Sequence, residues 1–159
     1  MYKRQAESTV DVQDLEPQNL GSTPPNIVIT ELDKCTSEQL PIKPQRLMCE
    51  LTRVLPKETK YVIETGNAWS WAIHYLHLSA PEQFHIAMGF GAMGWAIGAA
   101  PGVAMAAKGS PVACITGDGA YLMSGQEITV AKAMNLPVIY VVLNDQALGM
   151  VKHGQQLAQ

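Results

Sequence analysis

From residue 44 onward, the hydrophobic positions alternate between short unbroken runs and helical spacing. Pro44 stands at a position that suits the first residue of a helix, and the apolar residues that follow it at helical spacing are Leu47, Met48, Leu51, Val54 and Leu55. A short apolar run predicts a strand over 61–63, and the alternating residues Phe84, Ile86 and Met88 predict another. Helices are expected over about 68–78 and 92–108.

The best-defined unit lies between residues 111 and 143. Residues 111–116 predict a buried strand, and a helix is expected to begin near Ser124, because Ser124 and Glu127 have the spacing of a capping box. Residues 138–143 are apolar throughout, which is typical of an interior strand of a parallel sheet. Strand, crossover helix and strand predict a right-handed βαβ unit. The expected fold class is α/β, an open parallel sheet flanked by helices.

The first 43 residues have a different composition. Ser, Thr, Gln, Asp and Pro dominate them, which predicts a polar tail or a linker from a preceding domain, with one short strand over 26–30. The domain itself is expected to span residues 44–159.

Residues 86–107 contain no charged side chain and are long enough to raise the question of a membrane span. The stretch is mostly Ala and Gly, contains Pro101 and lacks flanking anchor residues. We therefore predict a buried, closely packed helix and no membrane association.

Composition excludes some classes of function. The formal net charge is −3 and no basic face is evident, so nucleic acid is not an expected partner. The three cysteines, Cys35, Cys49 and Cys114, show no CxxC spacing. This favours buried thiols in a reducing compartment over a disulfide framework or a zinc site. No secretion signal is visible, and we expect a cytoplasmic protein.

Polar or glycine-rich turns follow three of the predicted strands: Gly66-Asn67, Gly117-Asp118-Gly119 and Asn144-Asp145. Ligands of open parallel sheets bind at the carboxyl ends of the strands, where Asp118 and Asp145 would meet. Two carboxylates suit Mg²⁺, which completes its shell with phosphate oxygens. Taken separately, each turn is more often only a turn, and the hypothesis of a site depends on their convergence.

The spacing of Gly117-Asp118-Gly119, 24 residues and then Asn144-Asp145 resembles the binding motif of thiamine-diphosphate-dependent enzymes. The segments 91–94 (Gly-Ala-Met-Gly) and 148–151 (Leu-Gly-Met-Val) are similar to the acetolactate synthase branch of the pyruvate-decarboxylase-like family. The resemblance extends from about Pro44 to the C-terminus and implies the domain that binds the diphosphate half of the cofactor.

The resemblance implies a role for each matching residue. Asp118, Asp145 and the carbonyl of Ala147 would ligate Mg²⁺. Met93 would hold the cofactor in its bent shape, and Met150 would face the substrate. The remaining residues expected to bind the cofactor are Gly66, Asn67, Ala68, Gly91, Gly117, Gly119, Ala120 and Asn144.

For the whole enzyme, the resemblance implies decarboxylation of a 2-keto acid and transfer of the resulting enamine to an acceptor. Acetolactate synthesis is favoured, and 2-keto acid decarboxylation or another carboligation is the alternative. A homodimer or tetramer is expected, and the resemblance is compatible with FAD in the full-length enzyme. The activating glutamate belongs to a separate pyrimidine-binding domain, so no catalytic residue is expected in this chain. We expect a domain truncated at the C-terminus, which binds the cofactor weakly and does not turn over substrate alone.

Two positions depart from the family pattern. Asp145 replaces the usual amide and adds a negative charge beside Asp118, and Pro101 lies a few positions later than the common proline.

Two rival hypotheses remain. Gly89, Gly91 and Gly94 form a G-x-G-x-x-G sequence, which would suit a Rossmann domain that binds NAD or FAD in an oxidoreductase. A non-enzymatic relative that keeps the fold is the second, although the intact Asp118 and Asp145 argue against it.

Overall fold

The computed structural model of the protein describes residues 30–158. Within this range the chain forms two compact units. The first contains residues 30–57 and 71–83, and the second contains residues 58–70 and 84–158.

A four-stranded parallel sheet is the centre of the second unit. Its strands are β1 (Lys60–Ile63), β2 (Phe84–Ile86), β3 (Val112–Gly117) and β4 (Val138–Leu143), in the spatial order β2-β1-β3-β4. All three pairings are parallel. The two central strands, β1 and β3, are buried along nearly their whole length. The predicted α/β fold with an open parallel sheet is confirmed.

Helix α3 (Trp95–Ala106) covers the central strands of this sheet. The core that it forms with the strands consists of Val62, Ala96, Ile97, Ala100, Ala104, Val112 and Cys114. The prediction of burial holds for one broad face only, because Gly98, Gly102 and Met105 on the other face are exposed. Among residues 30–158, no helix has both the length and the apolar character needed to span a membrane.

The helices that complete the second unit follow the strands. Strand β3 leads directly into α4 (Asp118–Ser124), a 3₁₀ turn (Gly125–Glu127) and α5 (Ile128–Ala133), and α6 (Gly149–Leu157) follows β4. Helix α2 (Asn67–Tyr75) begins in this unit, and its residues from Trp71 onward belong to the first unit.

The helix expected to begin near Ser124 is present as the 3₁₀ turn Gly125–Glu127 followed by α5, and Ser124 stands immediately before it. The preceding helix α4 was not predicted, and the hydroxyl of Ser124 makes no capping hydrogen bond. Ser124 instead lies against Gly94, at the position that a Cβ on Gly94 would occupy. The capping-box spacing therefore marks the helix start without the capping hydrogen bond, because the Ser124 side chain packs against Gly94 instead.

Strand β4 was predicted to lie in the interior of the sheet, but among the described residues it is one of the two edge strands. Ile139 and Val142 are 44% and 40% exposed. An apolar run indicates a strand that has apolar side chains on both faces of the sheet. It does not indicate whether the strand has a hydrogen-bonded neighbour on one side or on both.

The described part of the first unit contains a 3₁₀ helix (Leu32–Thr36), helix α1 (Pro44–Val54), most of α2 and a 3₁₀ turn (Pro81–Gln83). Residues 30–43 were assigned to a polar tail, yet Cys35 in this stretch is buried. The predicted boundary at residue 44 stays a prediction, and nearly all of the suggested strand over 26–30 lies outside the described residues.

Two glycines, one before α3 and one within it, provide a test of the packing of α3 on α4. Gly94 has a φ of +88°, and a Cβ there would overlap Ser124, whereas a Cβ on Gly102 would meet nothing within 4 Å. We expect Gly94→Ala to lower the free energy of unfolding by about 1–3 kcal/mol. Gly102→Ala should raise it by about 0.5–1 kcal/mol, because alanine is the better helix former. Urea unfolding of both variants checks this, and equal effects would contradict the packing of α3 on α4.

Candidate functional site

The two candidate metal-binding carboxylates lie at the carboxyl ends of neighbouring strands. Gly117, the last residue of β3, pairs with Leu143, the last residue of β4. Asp118 and Asp145 follow these positions by one and two residues. The expectation that both residues stand at the ends of adjacent parallel strands is confirmed.

Backbone amides hold both carboxylates in place. Asp118 accepts hydrogen bonds from the amides of Gly119 (2.7 Å) and Gln146 (2.8 Å), and the second of these connects the turn after β3 directly to the turn after β4. Asp145 accepts one from the amide of Ala147 at 3.1 Å. The side chain of Asn144 accepts a longer one from Gln146, at 3.3 Å. The two turns therefore form one hydrogen-bonded structure.

The start of α2 and the start of α6 meet at Asp145. A Cβ built on Gly149 would lie 2.5 Å from both Nδ2 of Asn67 and Oδ2 of Asp145. Asn67 follows β1 and Asp145 follows β4, so three chain segments approach one point. A side chain at position 149 would require Asn67 or Asp145 to move from this arrangement.

A second close approach lies beside Asp118. A Cβ on Gly119 would be 2.5 Å from Cδ2 of Leu148 and 3.3 Å from Cε of Met93. The loop before α3, the first turn of α4 and the turn after β4 therefore converge. Met93, predicted from the resemblance, is brought to the same region as Asp118.

The other residues that were predicted to bind the cofactor lie next to these turns in the sequence or in the structure. Gly66 has a φ of +108°, and its carbonyl accepts a hydrogen bond from Trp69 in the first turn of α2. Ala68 and Ala120 are buried. Gly91 has a φ of +70° and lies beside Thr65. Met150, in the first turn of α6, is exposed.

The donor set suits a hard cation with few protein ligands. Within residues 30–158, no group of three or more His, Cys, Asp or Glu side chains could hold a metal ion. Mg²⁺ is usually bound by one or two carboxylates and takes its remaining oxygens from phosphates and water. Asp118 and Asp145 fit this pattern.

Residues 64–159 match the family model described as "Thiamine pyrophosphate enzyme, C-terminal TPP binding domain". The chain belongs to this family. The match contains every residue that was predicted to bind the cofactor or the metal, and it displaces the Rossmann hypothesis. Of the glycines behind that hypothesis, Gly91 and Gly94 have positive φ angles, and Gly94 also packs against Ser124.

Two curated relatives of this thiamine pyrophosphate enzyme domain are acetolactate synthases. Acetolactate synthase isozyme 2 large subunit from Escherichia coli is 35% identical over 111 residues, which are 70% of this chain and 20% of that protein. Acetolactate synthase 2, chloroplastic, from Zea mays is 39% identical over 110 residues, 69% of this chain and 17% of that protein. The chain thus spans about a fifth of the length of these relatives.

Solved structures of thiamine-dependent enzymes share the fold. The crystal structure of benzoylformate decarboxylase from Polynucleobacter necessarius superimposes with a TM-score of 0.70 and is 27% identical, over 76% of this chain and 23% of that one. The parallel sheet flanked by helices is therefore the fold of the family.

Sequence reasoning missed one buried carboxylate, Glu64, which follows β1 directly. It is fully buried and accepts hydrogen bonds from the amides of Thr65 (3.0 Å) and Ala96 (3.1 Å), so it connects the end of β1 to the start of α3. Glu64 lines a cavity of about 120 Å³ with Trp69 and residues 86–91. The available signal was an acidic residue placed immediately after an apolar strand.

Burial raises the pKa of Glu64, and hydrogen bonds from the amides of Thr65, Ala96 and Gly94 oppose this shift. In the folded state the protonated form is therefore favoured relative to the unfolded chain. The contribution to stability is present at low pH and is lost as pH rises through the raised pKa.

We therefore expect the melting temperature of the wild type to fall with rising pH relative to that of Glu64→Gln, which cannot ionise. The change should occur above the ordinary pKa of a glutamate. Glu58→Gln, which alters an exposed glutamate of the same unit, should follow the wild type. Thermal melts recorded across the pH range measure this, and parallel curves for wild type and Glu64→Gln would refute it.

Proposed function

We propose that this domain binds thiamine diphosphate through Mg²⁺, with Asp118, Asp145 and the carbonyl of Ala147 as protein ligands. The observation that carries the proposal is the joining of the turns after β3 and β4, in which Asp118 accepts a hydrogen bond from Gln146 beside Asp145. The family match supports the cofactor, and the two carboxylates support the metal.

Electrostatics explain why the metal is required. A diphosphate beside two carboxylates is repelled until a cation lies between them. The amides of Gly119, Gln146 and Ala147 hold the carboxylate oxygens in place before a ligand arrives. Asp145 stands where the family has an amide, so its additional charge strengthens the dependence on the cation.

The diphosphate is proposed to lie among the glycine-rich turns. The absence of a side chain at Gly119 and at Gly149 lets the neighbouring turns approach the backbone closely at this place. The backbone at the start of α2 and at the start of α4 supplies the remaining contacts. The residues proposed for this role are Gly66, Asn67, Ala68, Gly117, Gly119, Ala120 and Asn144.

The remaining half of the cofactor is proposed to extend toward the loop before α3. Met93 lies against Gly119, where its side chain can contact the cofactor. Gly91 borders the cavity that Glu64 lines. Backbone groups of Gly91 and Met93 would then contact the aminopyrimidine ring. Met150 is exposed in the first turn of α6 and is proposed to face the substrate.

For the whole protein we propose decarboxylation of a 2-keto acid followed by transfer to an acceptor, as in the acetolactate synthases that the chain resembles. Thiamine diphosphate, when bound, supplies the nucleophilic carbon for this chemistry. The residues of this chain bind and orient it, and the activating carboxylate is proposed to come from a separate domain. The similarity to benzoylformate decarboxylase favours a 2-keto acid decarboxylase as the second candidate. A homodimer or tetramer, FAD and a cytoplasmic location remain predictions.

Calorimetric titration of the whole protein with thiamine diphosphate, in Mg²⁺ or in EDTA, tests the metal site. We expect binding only with Mg²⁺, and we expect Asp118→Ala and Asp118→Asn to lower the affinity by about 100-fold or more. Asp145→Asn should have a smaller effect, because an amide oxygen can still ligate the metal. Asp33→Ala removes an exposed carboxylate of the first unit and should bind as the wild type does. Binding that is unaffected by EDTA would overturn the proposed site.

Two glycines of α6 test the geometry independently of charge. A Cβ on Gly149 would meet Asn67 and Asp145, whereas a Cβ on Gly154 would meet nothing within 4 Å. We expect Gly149→Ala to weaken Mg²⁺-dependent cofactor binding by about 10–100-fold, a loss typical of displaced metal ligands. Gly154→Ala provides the same gain in helix propensity and should leave the affinity unchanged. Equal affinities for both variants would contradict the convergence of Asn67 and Asp145.

A further inference from the structure

Two cysteines of the first unit lie in direct contact, although 14 residues separate them in the sequence. Cys35 is in the 3₁₀ helix Leu32–Thr36, Cys49 is in α1, and their sulfur atoms are 2.7 Å apart. Both thiols are free and buried, with 5% and 2% of their surface exposed. Neither residue belongs to the proposed cofactor site, and both precede the segment that matches the family model.

Hydrogen bonds on both sides of Cys35 hold the 3₁₀ helix against α1. Before the cysteine, Nε2 of Gln45 donates to the carboxylate of Glu31 at 2.9 Å. After it, Nη1 of Arg46 donates to the carbonyls of Thr36 (3.1 Å) and Ser37 (3.2 Å). The contact between the sulfur atoms is therefore fixed by polar partners at either end. These partners reduce the conformational freedom that bond formation would otherwise have to remove.

The two thiols are chemically unequal. The hydrogen bond from Cys49 lowers the pKa of Cys35, and the same bond and burial raise the pKa of Cys49. Cys35 is therefore the more acidic of the two thiols, so it forms the nucleophilic thiolate more readily than Cys49 does. Cys114 differs from both, because burial in β3 raises its pKa to about 12.

We propose that Cys35 and Cys49 form a reversible redox pair, which a hydroperoxide oxidises to an intramolecular disulfide that joins the 3₁₀ helix to α1. Hydrogen peroxide is small enough to reach the nearly buried sulfur of Cys35 during local opening, and the thiolate form of Cys35 is the one that reacts. The sulfur of Cys35 attacks one peroxide oxygen, the O–O bond breaks, and hydroxide leaves with the electron pair. The product is a sulfenic acid at Cys35.

Cys49 completes the reaction. Its sulfur attacks the sulfur of the sulfenic acid, the S–O bond breaks, and the departing hydroxide takes the proton of the Cys49 thiol to form water. The hydroxide of the first step takes up the proton that Cys35 had released. Two thiols are oxidised and one hydrogen peroxide is reduced to two waters. A dithiol reductant reverses the change.

The test is a count of free thiols in the full chain after exposure to hydrogen peroxide, followed by denaturation in an alkylating reagent and peptide mapping. We expect the wild type to fall from three free thiols to one, with a single Cys35–Cys49 cross-link that dithiothreitol removes. The disulfide should raise the melting temperature by about 5–10 °C, because it closes a loop in the unfolded chain. Cys114→Ala should still lose two thiols.

Serine variants separate the roles of the two cysteines. After exposure to hydrogen peroxide, Cys49→Ser should accumulate a sulfenic acid at Cys35, which dimedone traps. In Cys35→Ser, dimedone should label Cys49 on the order of tenfold more slowly than it labels Cys35 in Cys49→Ser. Circular dichroism establishes that each variant is folded. Three thiols that persist in the wild type, a cross-link that involves Cys114, or equal labelling of the two variants would overturn the proposal.

Discussion

The parallel pairing of β3 with β4 is the constraint on which the site depends. It aligns Gly117 with Leu143, so the turns that follow the two strands leave the sheet side by side. Asp118 can then accept a hydrogen bond from Gln146, 28 residues later in the sequence. A shift of one residue in this register would turn the side chains of β4 to the opposite faces and separate the two carboxylates.

Close approach at two glycines brings the segments that follow or precede other elements to the same region as the two carboxylates. Gly119 admits Leu148 and Met93, and Gly149 admits Asn67 and Asp145, so segments after β1, β3 and β4 and before α3 share one region. Glu64 fixes the position of the α3 segment, because its buried carboxylate accepts the amide of Ala96 at the start of the helix. A binding region is thereby assembled from turns that are far apart in the sequence.

The two units carry different kinds of chemistry. The second unit contains the carboxylates and glycines proposed to bind the metal and the diphosphate, and these lie within the segment that matches the family. The first unit contains the Cys35–Cys49 pair, held by the bonds of Gln45 and Arg46 to the neighbouring chain. Oxidation of the pair and binding at the site can therefore be measured independently.

The sequence by itself determined the features that depend on local pattern. The apolar run 138–143 coincides with β4, Pro44 begins α1, and the spacing of Asp118 and Asp145 indicated both the family and the candidate ligands. Contacts between distant segments were decided only by the tertiary structure. The tertiary structure also decided the edge position of β4, the presence of helix α4 before Ser124 and the burial of Glu64. The contacts it decided include the close approach of Asn67 and Asp145 to Gly149 and the meeting of Cys35 with Cys49. Periodicity reports which face of an element is buried, whereas the partner on that face depends on how the elements pack.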